Sequence, residues 1–342
     1  MHEISLNIDG HVTTIQIGRN LFQNLESING KRLVFLVDEN VHRLHTSRFE
    51  GMSCLLVPSG EKQKTLSFTE EILRKMVFME ADRTSFLVGV GGGLVTDLAG
   101  FVASVFMRGI DFGFISSTLL GQVDASIGGK NGVNLDGYKN MVGVFRQPKF
   151  VWCDMELLDT LDQRELTSGF SEVIKYAAIR DLKLFDYIEV HLDEILKRNP
   201  VALEAIVTSS VAIKADIVQA DVNEQGERKL LNFGHTLGHA IEKLTGMMHG
   251  EAVAIGMVLA ARLSCNMGFL DPAELAKLEK IIVAVGLPVK TDLLPTDLYE
   301  TLLKDKKRTG DQIHFILLRS IGEAFIYRME LNSLRAAIHD LY

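Results

Sequence analysis

Three histidines and one glutamate are spaced like metal ligands. Residues 232–239 read Asn-Phe-Gly-His-Thr-Leu-Gly-His, which sets His235 and His239 at i and i+4 on one helical face. His249 follows in Met247-Met248-His249-Gly250-Glu251, and upstream Glu172 and Lys175 stand at i and i+3. Two imidazoles and one carboxylate leave an open position on zinc, as a catalytic site requires. The HExxH pattern is absent, so zinc-protease chemistry is not expected. Spacing alone leaves open which two of the three histidines would bind.

A second feature is Val88-Gly89-Val90-Gly91-Gly92-Gly93, followed by Leu94-Val95-Thr96-Asp97. A strand running into glycines and then a helix lets backbone N–H groups approach a pyrophosphate closely, and the helix N-terminus adds a favourable field. The strict GxGxxG pattern fails, because Leu94 and Thr96 stand where its last glycine would fall. A third feature is a density of cations and amides among glycines. QVDASIGGKNGVN covers residues 122–134 and GYKNMVGVFRQ covers 137–147, with Lys214, Arg228, Asn232 and the Lys304-to-Arg308 run downstream. Such groups can form a pocket for phosphate or carboxylate.

These residues need elements to hold them. In the first half, short β-rich runs (Arg32–Val37, Ser53–Pro58, Ser85–Val90, Phe112–Ser116, Phe150–Cys153) alternate with helical runs at Phe68–Met79 and Asp97–Phe106. Alternation of this kind predicts βαβ units and a mostly parallel sheet. The first residues, MHEISLNIDGHVTTIQIG, alternate like a strand. Beyond about residue 163 helical spacing dominates: Glu165–Arg180, Leu182–Lys197, Val201–Ala220, His235–Leu244, Ala252–Met267 and Ala273–Val285, with His314–Leu318 as a strand-like exception. Asp271-Pro272 with Glu274, and Gly286, predict the ends of one helix. The expected architecture is an α/β N-terminal domain over 1–163, Rossmann-like with a mostly parallel sheet, and a mainly α-helical C-terminal domain over 164–342. No linker is rich in Pro, Gly or Ser, so a close pair of domains with a ligand cleft is expected.

Composition narrows the function classes. The 342 residues are 47% hydrophobic and 23% charged, which disfavours wholesale disorder, and their number suits two domains. A net charge of −8 argues against general nucleic-acid binding. No apolar run reaches the roughly 18 residues of a membrane span, and no signal peptide is expected at the N-terminus. Cys54, Cys153 and Cys265 form no CxxC pair, so neither a disulfide framework nor a cysteine zinc site is expected. A reducing, cytoplasmic setting fits.

In order along the chain, PSGEKQKT, GGGLVTDLAGFVA, RGIDF, STLLGQVDASIGGKNGVN, YKNMVGVFRQP, LDTLDQRELTSGFSEVIKYA, ERKLLNFGHTLGHAIE and HGEAVAIGM resemble the 3-dehydroquinate synthases, of the sugar-phosphate cyclase group. The likeness runs from about Asp38 to Ala324. It implies an NAD-binding α/β domain, a helical metal-binding domain and a redox-neutral reaction. In that reaction 3-deoxy-D-arabino-heptulosonate 7-phosphate becomes 3-dehydroquinate and phosphate. Oxidation at C5 by NAD⁺ is followed by β-elimination of phosphate, re-reduction, ring opening and intramolecular aldol closure.

Carried over by position, the resemblance makes Glu172, His235 and His249 the ligands of Zn²⁺ or Co²⁺ and His239 a proton-transfer residue. It assigns Lys175, His239, Asp124 and Asn232 to catalysis. It sends Lys130, Asn140 and Lys306 to the phosphate end of the substrate, and Lys214 and Arg228 to its carboxylate. Arg108 matches an arginine contributed from the neighbouring subunit, which implies a homodimer. For NAD the matching positions are Asp38, Asn40, Glu61, Lys64, Gly92, Gly93, Leu94, Val95, Thr96, Asp97, Ser117, Thr118, Lys130, Lys139, Leu157 and Thr160.

Some positions depart from the family pattern. Thr96 replaces a glycine, Ser117 a threonine, Asn131 a frequent threonine, and Tyr138 the glycine before Lys-Asn. Thr96 is expected either to narrow the pyrophosphate approach or to accept an ordinary helical φ. Three other readings compete. A cyclase of sedoheptulose 7-phosphate or of a phosphorylated hexose would lack the carboxylate that Lys214, Arg228 and Asn232 suit. A metal-dependent polyol dehydrogenase would release NADH. A non-enzymatic NAD-binding scaffold would need no metal trio.

Overall fold

The computed structural model describes residues 1–28, 30–136, 138–303 and 312–341. The chain forms two compact units, Met1–Leu166 with Leu203–Gln219, and Thr167–Ala202 with Ala220–Tyr342. The segment Leu203–Gln219 thus joins the first unit, although helices of the second flank it in sequence.

In the first unit the strands are β1 (His2–Ile8), β2 (His11–Gly18), β3 (Leu33–Asp38), β4 (Cys54–Val57), β5 (Phe86–Gly91), β6 (Asp111–Ser116), β7 (Lys130–Leu135), β8 (Tyr138–Phe145) and β9 (Phe150–Asp154). Seven of them form one sheet in the order β1-β2-β9-β6-β5-β3-β4. Only the β1–β2 pair is antiparallel, so the expected mostly parallel sheet is what forms, and the N-terminal strand is in fact a hairpin. β5 is buried along its whole length, as a strand covered on both faces must be. β7 and β8 form a separate antiparallel hairpin that carries Lys130, Lys139 and Asn140. Its glycines and polar residues hid it from periodicity.

Helices α1 (Glu39–Leu44), α2 (Leu66–Phe78) and α3 (Gly93–Val105) connect strands of the sheet, and α4 (Glu156–Asp159) follows β9. Thr65 caps α2 by accepting from the Phe68 N–H at 3.1 Å. α3 starts at Gly93 rather than at Asp97, because the chain turns directly from β5 into the helix. α5 (Gln163–Arg180), α6 (Leu182–Leu196) and α7 (Pro200–Ala220) follow.

The second unit continues with α8 (His235–Thr245), α9 (His249–Asn266), α10 (Pro272–Val285), α11 (Pro295–Leu303), the hairpin β10 (Gln312–Ser320) and β11 (Glu323–Glu330), and α12 (Leu331–His339). The strand-like exception is therefore one half of a hairpin. Asp271 caps α10 by accepting from the Ala273 N–H at 2.8 Å and Gly286 stops it at φ 90°, as expected, whereas Glu274 forms no capping box and accepts from the Ile321 N–H at 3.0 Å. The core of this unit joins Leu237 and Ile241 of α8, Ile255 and Leu259 of α9, and Phe315 of β10. Each fully buried side chain of this size contributes about 1.5–3 kcal/mol.

Candidate active site

In the first unit, β4 and β5 leave β3 in opposite directions, and strand order reverses between β3 and β5. Open α/β sheets bind ligands at the carboxyl ends of strands around such a reversal. Asp38 ends β3 there and caps α1, accepting from the Asn40 N–H at 2.9 Å and the Val41 N–H at 3.3 Å. Burial raises its pKa above the usual carboxylate range, against those two N–H groups. Asn40 donates to Ser59 at 2.7 Å.

Gly91 ends β5, and no side chain caps α3, so its N-terminal turn is open to an anion. At Gly92 a Cβ would lie 2.9 Å from Thr118 Cγ2, so a side chain there would have to displace Thr118. Ser117 donates its N–H to the Gly91 carbonyl at 2.9 Å, and Thr118 Oγ1 accepts from the Gly121 N–H at 2.9 Å. Leu94, Val95 and Thr96 follow within the first turns of α3. Thr96 is buried and its hydroxyl donates to the Gly93 carbonyl at 3.1 Å. The departure from glycine is therefore absorbed inside an ordinary helix.

Asp97 lies beside Lys64, with Nζ 2.5 Å from Oδ2, and Glu61 stands 3.9 Å from the same ammonium. Burial pushes the Asp97 carboxyl up to about 6, with Lys64 pulling against it. Asp124 and Lys214 pair at 2.5 Å, and Lys214 also donates to the Asp124 carbonyl at 2.6 Å. Asn131 is buried and bridges the Gly129 and Arg146 carbonyls at 2.9 Å each, so it serves the hairpin. Lys130, Lys139, Asn140 and Arg108 are exposed. Thr160 meets His45 Nε2 at 2.8 Å. Leu157 packs in the core with Phe35 and Val37, and its carbonyl accepts from the Thr160 hydroxyl at 3.4 Å.

In the second unit, α5 presents Glu172 and Lys175 one turn apart, 0% and 1% exposed. Lys175 binds Glu172 Oε2, while Oε1 is buried with no hydrogen-bond partner. His235 Nε2 and His249 Nε2 converge on that oxygen at 3.5 Å and 3.8 Å. An orphaned carboxylate oxygen facing two imidazole nitrogens fits a divalent cation with an open coordination position.

Close helix packing makes this convergence possible. On α9, a Cβ at Gly256 would lie 2.0 Å from the Gly234 carbonyl at the start of α8. Glu251 fixes the start of α9, accepting from the Met248 N–H at 3.1 Å. The helix accordingly begins at His249, earlier than the expected Ala252.

His239 shares this neighbourhood, its ring 5.2 Å from that of His235 and 5.9 Å from that of His249. It forms a second convergent group with Glu242 and His249. Burial draws the His249 imidazole down, but Glu172 and Glu242 outweigh it and push it up to about 9. Sequence reasoning passed over Glu242, although it falls on the face of α8 that carries His235 and His239. Arg228 is 2% exposed and donates to the Val222 carbonyl at 2.6 Å; Asn232 donates to Glu224 at 2.5 Å. Lys306 lies outside the described residues.

The chain is similar to known proteins over nearly its whole length. Residues 54–168 match the family described as 3-dehydroquinate synthase N-terminal, and residues 169–308 the one described as 3-dehydroquinate synthase C-terminal. A 3-dehydroquinate synthase of Thermoanaerobacter pseudethanolicus is 43% identical over 310 residues, 87% of each chain. One from Alkaliphilus metalliredigens is 41% identical over 334 residues, 94% of each. Among solved structures, the 2-epi-5-epi-valiolone synthase of Streptomyces hygroscopicus subsp. jinggangensis, with NAD⁺ and Zn²⁺ bound, superposes with a TM-score of 0.87 at 26% identity, covering 100% of this chain and 98% of that one. By these matches, the chain belongs to the 3-dehydroquinate synthase family.

Proposed function

We propose that the protein converts 3-deoxy-D-arabino-heptulosonate 7-phosphate into 3-dehydroquinate and phosphate, a step of the shikimate route to aromatic amino acids. The observation that carries this reading is the buried Glu172 oxygen met by His235 and His249, in a chain of this family. A structural relative with NAD⁺ and Zn²⁺ bound supports the same two cofactors here. Bound at these sites, NAD⁺ supplies a transient hydride acceptor and Zn²⁺ or Co²⁺ a Lewis acid that favours an alkoxide over an alcohol.

The protein's own residues do the rest. Glu172, His235 and His249 would hold the metal, and Lys175 engages the second oxygen of Glu172. His239 moves the proton of the reacting hydroxyl. Asp38 and Asn40 bind the adenosine side of NAD⁺, while the Gly92-Gly93 turn and α3 take its pyrophosphate. Asp124 and Asn232 orient the substrate. Lys130 and Asn140 serve the phosphate end, joined by Lys306, and Lys214 and Arg228 bind the carboxylate. Redox neutrality follows because the hydride returns to the carbon it left.

The active form is a homodimer in which Arg108 reaches a neighbouring subunit. Arg108 sits on an exposed turn where Met107 and Arg108 both have positive φ, 48° and 69°. Beside it the surface is apolar: Val77, Phe78 at 90% exposure, Val105 and Met107. The protein acts in the cytoplasm; its three free cysteines suit that compartment, and no described helix is long and apolar enough to cross a membrane.

The test is phosphate release from the substrate with NAD⁺ and Zn²⁺, with NADH absorbance followed in parallel. Release without net NADH, abolished by a chelator, is the expected result. Accumulating NADH would move the reading to a dehydrogenase. Release from sedoheptulose 7-phosphate alone would move it to another cyclase.

A further inference from the structure

Glu242 stands behind His249. Its Oε2 lies 3.1 Å from His249 Nδ1, while Nε2 of the same ring faces Glu172 Oε1 at 3.8 Å. The Glu242 side chain is 12% exposed, so water screens this contact little. We infer that Glu242 is the positioning residue of the metal site: it fixes the tautomer and orientation of His249 and strengthens its donor nitrogen. The inference rests on reading Glu172, His235 and His249 as the metal ligands.

The chemistry follows from the partner's charge. An ionised carboxylate accepts hydrogen bonds only, so with a cation at Nε2 the remaining ring proton of His249 is held on Nδ1 and the Nε2 lone pair faces the cation. The anion also stabilises positive charge on the ring, which makes Nε2 a better donor to a cation. His235 reaches the same tautomer by a different route, with Nδ1 3.0 Å from the Phe233 carbonyl, a neutral partner. The two imidazoles are therefore held differently, His249 by a carboxylate and His235 by a main-chain carbonyl.

Glu242 also offsets a charge deficit. Lys175 neutralises part of Glu172, the one anionic ligand, and Glu242 returns a negative charge to the far side of His249. Its position ties the two helices together. Seven residues after His235, it lies two turns along the same face of α8, so α8 supplies one ligand and aims the other, which sits on α9.

The experiment measures Co²⁺ affinity of the full-length protein by competition with a chromogenic chelator, together with the visible Co²⁺ spectrum and the melting of the metal-free form. E242A removes acceptor and charge, whereas E242Q keeps an acceptor oxygen and loses only the charge. The expected result is Co²⁺ binding weakened about 10- to 100-fold in E242A, less in E242Q, with altered bands in both at saturating metal. Wild-type affinity and spectrum in E242Q would overturn the inference even if E242A fails to fold. Two Co²⁺ per wild-type chain, with one lost in E242A, would also overturn it, because Glu242 would then be a ligand with His239. Wild-type protein that binds no Co²⁺ would instead sink the underlying reading of the three ligands.

Discussion

Lys175 and Glu172 form an ion pair one helical turn apart on α5 with almost no solvent contact, and it uses one carboxylate oxygen while leaving the other to face two histidines. Removing one member of a buried pair strands the other charge, at a cost of about 3–5 kcal/mol. Metal-free K175M is therefore expected to lose about 3 kcal/mol or more in urea unfolding, and the double variant E172Q/K175M to recover most of it. A single variant as stable as wild type would show that Glu172 carries no stranded charge.

His235 and His249 should prove unequal to His239 in metal content. After gel filtration, wild type and H239A are expected to retain one metal per chain and H249A none, with phosphate release lost in both variants. Elemental analysis checks this directly. Full metal in H249A would remove it from the ligand set, and loss of metal in H239A would place His239 there.

Asp97 gives a pH dependence with a defined sign. Its carboxyl is raised from 3.8 to about 6 because burial disfavours the anion more than Lys64 favours it. A raised carboxyl releases its proton more readily in the unfolded chain, so the contribution is greatest at low pH and is lost as pH climbs through that window. The difference in unfolding free energy between wild type and D97N should fall by about 3 kcal/mol from about pH 4 to about pH 7. A flat difference would show that Asp97 titrates like an exposed acid. NAD⁺ affinity should respond in the same window.

Arg228 is buried and tethered to the Val222 carbonyl, which aims a charged side chain at small cost in side-chain entropy. R228A is expected to lower kcat/KM for the carboxylate-bearing substrate about 10- to 100-fold with metal content unchanged. An unaltered kcat/KM would refute its assignment to the carboxylate.

Subunit exchange tests Arg108. R108A and K130A should each be impaired alone. A mixed population should regain activity, because one of the two sites in a mixed dimer then pairs an intact Arg108 with an intact Lys130. Absence of any recovery would count against the placement of Arg108 across a dimer.

Much of this protein is legible one residue at a time. Period-2 and period-3.6 patterns locate the parallel strands and most helices, because each strand or helix must bury one face whatever its neighbours are. Local chemistry reads the ends of α10, from Asp271-Pro272 to Gly286, and the glycine turn after β5. Ordered motifs carry the family. What escaped has a common cause. β7 offers little apolar patterning and glycines interrupt both β7 and β8, so their mutual pairing defines them. The start of α3 at Gly93 depends on how the β5 turn packs, and the grouping of Leu203–Gln219 with the first unit depends on long-range contacts. The choice among three histidines is of the same kind. His235, His239 and His249 are indistinguishable by spacing, and Glu242 is one more surface-type residue on α8. Only the close approach of α9 to α8 at Gly256, and of α5 to both, puts a buried carboxylate oxygen opposite two of those rings and a second carboxylate behind one of them. Distances between side chains far apart in sequence are set by packing, which no local pattern encodes.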